Sequence, residues 1–146
     1  MTHQLNFIYN DSDWIAPAEY PDLSQATEIA IDLETKDPNI KTKGPGWATF
    51  DGHIVGFAVA ALGQQWYFPI AHDAGGNMDL SITCAWFQDV LKTDATKIFH
   101  NASYDVGWLL VNGFEIRGKI VDTMIAAALI NENRFSFSLN ACAKDY

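Results

Sequence analysis

The segment Ile29-Ala30-Ile31-Asp32-Leu33-Glu34-Thr35 constrains the fold more than any other part of the chain. Alternate residues of a strand point to opposite faces. Ile29, Ile31 and Leu33 can therefore enter a core together, while Asp32 and Glu34 share the other face. The α-carbons of the two acids then lie roughly 6.6 Å apart, at about 3.3 Å of rise per residue. Like charges that close repel unless a cation sits between them. A hard divalent metal with oxygen ligands suits such a pair. The alternative is a strand that simply ends in a polar loop.

The chain has 146 residues, the size of one ordinary domain, and no internal boundary or repeat is visible in it. With 49% apolar residues it can build a real core. No stretch approaches the roughly 20 apolar residues that cross a bilayer, so no membrane partner is expected. The start, Met1-Thr2-His3-Gln4-Leu5-Asn6, lacks a basic segment followed by an apolar one and does not read as a secretory signal. Cys84 and Cys142 show no metal-type pairing, and free thiols in a cytoplasmic setting are expected. The formal net charge of −9 argues against coating nucleic acid by bulk electrostatics. It leaves room for a protein that grips a strand end through bound metal ions, because the ions supply local positive charge. Lys36, Lys41 and Lys43 fall in one loop after Glu34, where solvated side chains are the ordinary outcome.

The order of elements is strands first, then helices and strands mixed. Leu5–Tyr9 could form a short edge strand, and residues 28–34 form the first clear one. Residues 36–51 make a loop rich in Lys, Gly and Pro. Ile54 to Leu62 is apolar on both faces, as in a central, doubly covered strand. Gly63-Gln64-Gln65 turns it into Trp66–Ile70, giving a hairpin in which Trp66, Tyr67 and Phe68 read as core. Leu80, Cys84, Phe87 and Leu91 then mark one face of a helix that Asp79 or Ser81 could cap. A strand over 97–100 leads into a helix over 101–112 that Gly113 stops. Asp122 can cap a helix running to Ile130, and Ser138 one that begins at Leu139. The pattern predicts an α/β fold with a mixed sheet flanked by helices.

A second acidic segment, Phe99-His100-Asn101-Ala102-Ser103-Tyr104-Asp105, ends a strand and opens a helix. Strand ends facing helix starts are where α/β folds place ligand sites. Asp105 would lie near the positive end of the helix dipole, where a carboxylate is favoured. Taken alone, Asn101 could be only a cap and Asp105 only a first-turn acid.

Together the segments resemble the first two motifs of the DEDD 3′–5′ exonuclease superfamily. The wording is nearest to the proofreading domains of family-A DNA polymerases, including phage versions. Ile54-Val55-Gly56-Phe57, His100 to Leu109 and Asp122-Thr123-Met124 add to it, so the likeness covers about residues 28–146. The resemblance implies an RNase H-like fold holding two divalent metals, Mg2+ or Mn2+. It implies hydrolysis of the terminal phosphodiester at the 3′ end of single-stranded DNA, with the chain beside a polymerase region. In that scheme Asp32 bridges the metals, Glu34 binds one and helps position water, and Asp105 holds the second. Leu33, Thr35, Asn101 and Tyr104 would line the nucleic acid. Two metals about 3.5–4 Å apart stabilise both the attacking and the leaving oxygen.

The family pattern also asks for a fourth acid in a Tyr-x-x-x-Asp or His-x-x-x-x-Asp motif, and neither follows Asp105. The expectation is a single partial domain over 1–146, incomplete at its C-terminal side, with weak or no turnover alone. Its setting would be the cytoplasm of a bacterium or a phage-infected cell. An RNase D-like exoribonuclease and a module that binds 3′ ends without catalysis are the competing expectations. Trp47, beside the lysines, could stack on a base but is expected to pack on its own core. His72 and Asp73 are a weak candidate metal pair, and Cys142 is expected to be buried.

Overall fold

The structure is a computed structural model that describes residues 14–145. The possible edge strand at Leu5–Tyr9 lies outside the described residues. Strand β1 spans Glu28–Lys36 and is followed by two single-turn helices, α1 (Ile40–Lys43) and α2 (Gly46–Thr49). Next come the hairpin strands β2 (His53–Ala61) and β3 (Gln64–Pro69), then helix α3 (Leu80–Lys92) and strand β4 (Thr96–Phe99). Helix α4 (Ala102–Val111), strand β5 (Ile120–Asp122) and helices α5 (Thr123–Ile130) and α6 (Leu139–Asp145) complete the order.

The five strands form one sheet in the order β3-β2-β1-β4-β5. β1 pairs antiparallel with β2, and β2 with β3, whereas β1–β4 and β4–β5 are parallel. This is the mixed, RNase H-like sheet that the resemblance implies. The period-two pattern of β1 drives its placement: Ile29, Ile31 and Leu33 are buried, while Asp32 and Glu34 are exposed on the other face. The inward face packs with Phe57, Phe68, Phe87, Leu91, Phe99 and Leu109 into one core. Phe57 of β2 stacks on Phe87 of α3 with ring centroids 4.1 Å apart. Among the described residues, no helix is long and apolar enough to cross a membrane.

Three expectations need correction. β2 is not covered on both sides: Ala60 is exposed, and Ala30, Ala58, Ala60 and Ile98 line an open cavity of about 920 Å³. Its apolar character reflects small side chains rather than a second packed layer. The buried face of α3 is Thr83, Phe87, Val90 and Leu91, with Leu80 exposed in the first turn. Thr83 can enter the core because its hydroxyl is satisfied by the Asp79 carbonyl and the Tyr20 hydroxyl. Tyr67 is not core: only Trp66 and Phe68 face inward, and Tyr67 lies on the open side of the sheet.

Other expectations hold. Asp79 caps α3 by accepting from the Ile82 N–H, and Gly113 follows α4 at φ +83°. The Ser138 hydroxyl accepts from Ala141 at the start of α6. Trp47 packs against the core, Cys142 is buried, and both cysteines are free. The sheet also gains β5, a three-residue strand that the sequence reading does not resolve.

Candidate active site

The C-terminal ends of the parallel strands gather the acidic segments. β1 and β4 pair with Ala30 opposite Ile98, so two residues further on Asp32 stands level with His100. β4 and β5 pair up to Phe99 opposite Asp122. The chain then turns at Asn101, in the left-handed region at φ +68°, and enters α4. A register shift between Glu34 and Thr35 marks a bulge in β1 beside the acids, the kind of irregularity that re-aims side chains at functional sites.

Asp105 comes from the first turn of α4 and is only 3% exposed. Its Oδ1 accepts from the Leu33 backbone N–H at 3.2 Å. This bond locks α4 onto β1 between Asp32 and Glu34. Burial pushes the Asp105 carboxyl up to about 7, the Asp32 charge adds to the rise, and the Leu33 N–H opposes it. The helix dipole that favours a first-turn acid is outweighed. Asp32 is also raised by burial, partly offset by His100. The buried Asp105 and the more exposed Asp32 therefore repel each other. Hard carboxylate oxygens around a local excess of negative charge fit a divalent cation such as Mg2+ or Mn2+. Among the described residues, however, no three Asp, Glu, His or Cys side chains converge into a ready-made metal cage.

Each remaining sequence-derived residue has a definite place. The Leu33 side chain is buried in the core and its N–H is engaged by Asp105. Thr35 Oγ1 lies 2.8 Å from the Tyr104 hydroxyl, and that hydroxyl donates to Asp37 Oδ2 at 2.9 Å. Asp37 Oδ2 also accepts from the Gly46 N–H. The loop after β1 is thus pinned to α4 on the side next to Asp105. Trp47 closes the same joint, lying against Gly107 so tightly that a Cβ there would collide with its ring. The Asn101 side chain does not cap α4; its Oδ1 accepts from Ser103. His72 and Asp73 are engaged elsewhere, with the Tyr67 hydroxyl and with Lys36 respectively.

Asp122 does the work expected of Asn101 as well as its own. Its carboxylate accepts from Asn101 and Ala102 at the start of α4 and from Met124 and Ile125 at the start of α5. Burial acts to raise this carboxyl, but the N–H groups of Ala102, Asn101, Ile125 and Met124 hold it below the usual range. The sequence marks Asp122 as a cap, yet shows only one of its two helices.

His100 is a second residue whose role the sequence hides. Nδ1 lies 2.9 Å from Thr123 Oγ1, and Nε2 donates to the Phe137 carbonyl. Thr123 gives its own proton to the Phe99 carbonyl. Both ring nitrogens therefore face acceptors, which fixes the ring beside Asp32. Tyr67, on β3, is the third. Burial pushes its hydroxyl up to about 12, and the Glu34 charge adds to that.

Known proteins share both the sequence and the architecture. A family model described as 3′–5′ exonuclease matches residues 18–146. A DNA-directed DNA polymerase of Pseudomonas phage M6 is 34% identical over 145 residues, which are 94% of this chain and 22% of that protein. DNA polymerase DpoZ of Salmonella phage PMBT28 is 30% identical over 131 residues, 88% of this chain and 19% of that protein. The chain thus spans about a fifth of the length of these relatives. Among solved structures, Brucella melitensis NrnC with bound Mg2+ superposes with a TM-score of 0.58 at 21% identity, over 86% of this chain and 57% of that one. The POL domain of Pol1 from M. smegmatis, in complex with DNA primer-template and dNTP, gives 0.60 at 20% identity, over 84% and 19%. These two show a common fold. Matched over nearly its whole length, the chain belongs to the 3′–5′ exonuclease family, of the kind found in family-A DNA polymerases.

Proposed function

We propose that the chain forms the metal-dependent unit that removes nucleotides from the 3′ end of DNA, serving as a proofreading element beside a polymerase region in one protein. The observation that carries the reading is Asp105, fixed by the Leu33 N–H and raised by burial and then by the Asp32 charge. A fold that only needed to be stable would not bury Asp105 beside a second acid without a counter-ion. Asp32 and Asp105 would hold the first divalent ion, with Glu34 on the same strand face contributing to a second. A divalent ion at this place supplies Lewis-acid polarisation of a phosphoryl oxygen and an acidified water. The protein's part is positioning. Asp105 is oriented through β1, Asp32 is partly balanced by His100, and Thr35 and Tyr104 fix the loop where the 3′-terminal nucleotide would lie. Asn101 stands at the mouth of α4 on the same side.

The test is digestion of 5′-labelled single-stranded DNA, and of RNA of the same sequence, in Mn2+. The reading expects slow shortening from the 3′ end of DNA that disappears in Asp32→Ala. The rate should be low for this polypeptide, since no motif after Asp105 supplies the fourth acid of the pattern. Cleavage that begins internally, or that persists in Asp32→Ala, would contradict it. A preference for RNA would favour the exoribonuclease alternative. The absence of a three-donor cage among the described residues favours a second reading, a module that binds 3′ ends without turnover. Metal-dependent binding of the DNA with no shortening would support that one.

A further inference from the structure

One corner of the open sheet face has no part in the scheme above: Gly56, Tyr67 and His72. In β1–β2 the register sets Glu34 opposite Gly56, and in β2–β3 it sets Tyr67 opposite Ala58. Tyr67 leans along its strand into the neighbouring row, and a Cβ on Gly56 would collide with its hydroxyl. The phenol oxygen therefore occupies the space that a side chain at position 56 would fill. Cβ atoms of directly opposed residues on antiparallel strands stand about 5 Å apart. The hydroxyl is thus the cross-strand neighbour of Glu34, within reach of its carboxylate. Glycine at position 56 is what admits it.

The hydroxyl is not left to rotate freely. It hydrogen-bonds His72 Nε2, and the His72 ring meets the Tyr67 ring edge-on with centroids 5.8 Å apart. The His72 backbone is clamped in turn: its N–H donates to Asn77 Oδ1 at 2.7 Å, and its carbonyl accepts from Asn77 Nδ2 at 2.9 Å. Next to it, Asp73 pairs with Lys36 at 2.7 Å and ties this loop to the end of β1. A chain of fixed groups runs from the Asn77 clamp through His72 and Tyr67 to the place opposite Glu34.

We infer that Tyr67 is a positioning residue for Glu34: His72 Nε2–H donates to the Tyr67 oxygen, so that the phenol O–H is aimed at the Glu34 carboxylate and holds it turned toward the metal site. The inference rests on the metal reading of Asp32, Glu34 and Asp105. Partners of this kind, one step removed from the ion, typically change metal affinity by about 10–100-fold.

The experiment is an electron paramagnetic resonance titration of free Mn2+ against the protein, with thermal melts of every variant as a check on folding. Tyr67→Phe is expected to weaken Mn2+ binding about tenfold, and His72→Ala to a similar extent. His72→Gln keeps an N–H donor at that place and should restore most of the affinity. In a Glu34→Ala background, Tyr67→Phe should have no further effect, which a merely structural role would not produce. Unchanged affinity in Tyr67→Phe, or an undiminished effect of it without Glu34, would overturn the inference while leaving the metal reading intact. Failure of the unaltered protein to bind Mn2+ would overturn both. Should Tyr67→Phe melt early, Gly56→Ala, which displaces the ring without removing the hydroxyl, carries the same expectation.

Discussion

Asp105 is the residue at which burial and charge oppose each other most. Its carboxyl is raised by burial, then by Asp32, to about 7, against an ordinary 3.8 for the unfolded chain. The folded protein therefore binds more protons than the unfolded one between those values. The contribution of Asp105 to stability in the absence of metal should therefore be most favourable below about pH 4, be lost as pH rises to about 7, and stay lost above it. Asp105→Asn removes the ionisable group and keeps an oxygen for the Leu33 N–H. It should melt higher than the parent at pH 8 in chelator, with the advantage vanishing near pH 4. Equal melting of the two proteins at pH 8 would show that the acid is not confined as described. The sequence displays Asp32 and Glu34 plainly, because period two on one strand is a local signal. It does not display the environment of Asp105, which depends on a backbone N–H 72 residues away. Nor does it show that Tyr67 leaves the core for the acid side, since Trp66-Tyr67-Phe68 reads as uniformly aromatic.

At the level of elements, the joint at Asp122 decides whether the strand ends and helix starts stay in place. One carboxylate satisfies backbone donors of both α4 and α5. Loss of a single N-cap costs about 0.5–2 kcal/mol, so Asp122→Ala, which uncaps two helices, should cost about 2–3 kcal/mol in urea unfolding. A loss below 1 kcal/mol would mean that water or Asn101 replaces it. Helix α5 and its cap are legible in the sequence because Asp-Thr precedes a continuous apolar run. Strand β5 is not, because three residues carry no periodicity and the strand exists only through pairing with β4. The same holds for α1 and α2, single turns held by Asp37, Asn39 and the contact of Trp47 with Gly107 rather than by intrinsic preference. The face of α3 is misjudged for a different reason: a threonine with two satisfied partners substitutes for an apolar residue in the core.

For the molecule as a whole, an acidic chain of net charge −9 concentrates a pair of its acids where the parallel strands end. That concentration makes sense if positive charge arrives with an ion rather than from the protein's nine Lys and Arg residues. The sheet order and the fixed Asp105 point to the same corner of the fold. The most direct measurement is calorimetric titration of Mn2+ into metal-free protein and into Asp32→Ala. Titrations at pH 6 and pH 8.5, each in buffers of different ionisation enthalpy, count the protons released. The account predicts saturable binding that Asp32→Ala abolishes, with proton release at pH 6 as Asp105 gives up its proton, and almost none at pH 8.5. No binding, or binding unchanged in Asp32→Ala, would contradict it.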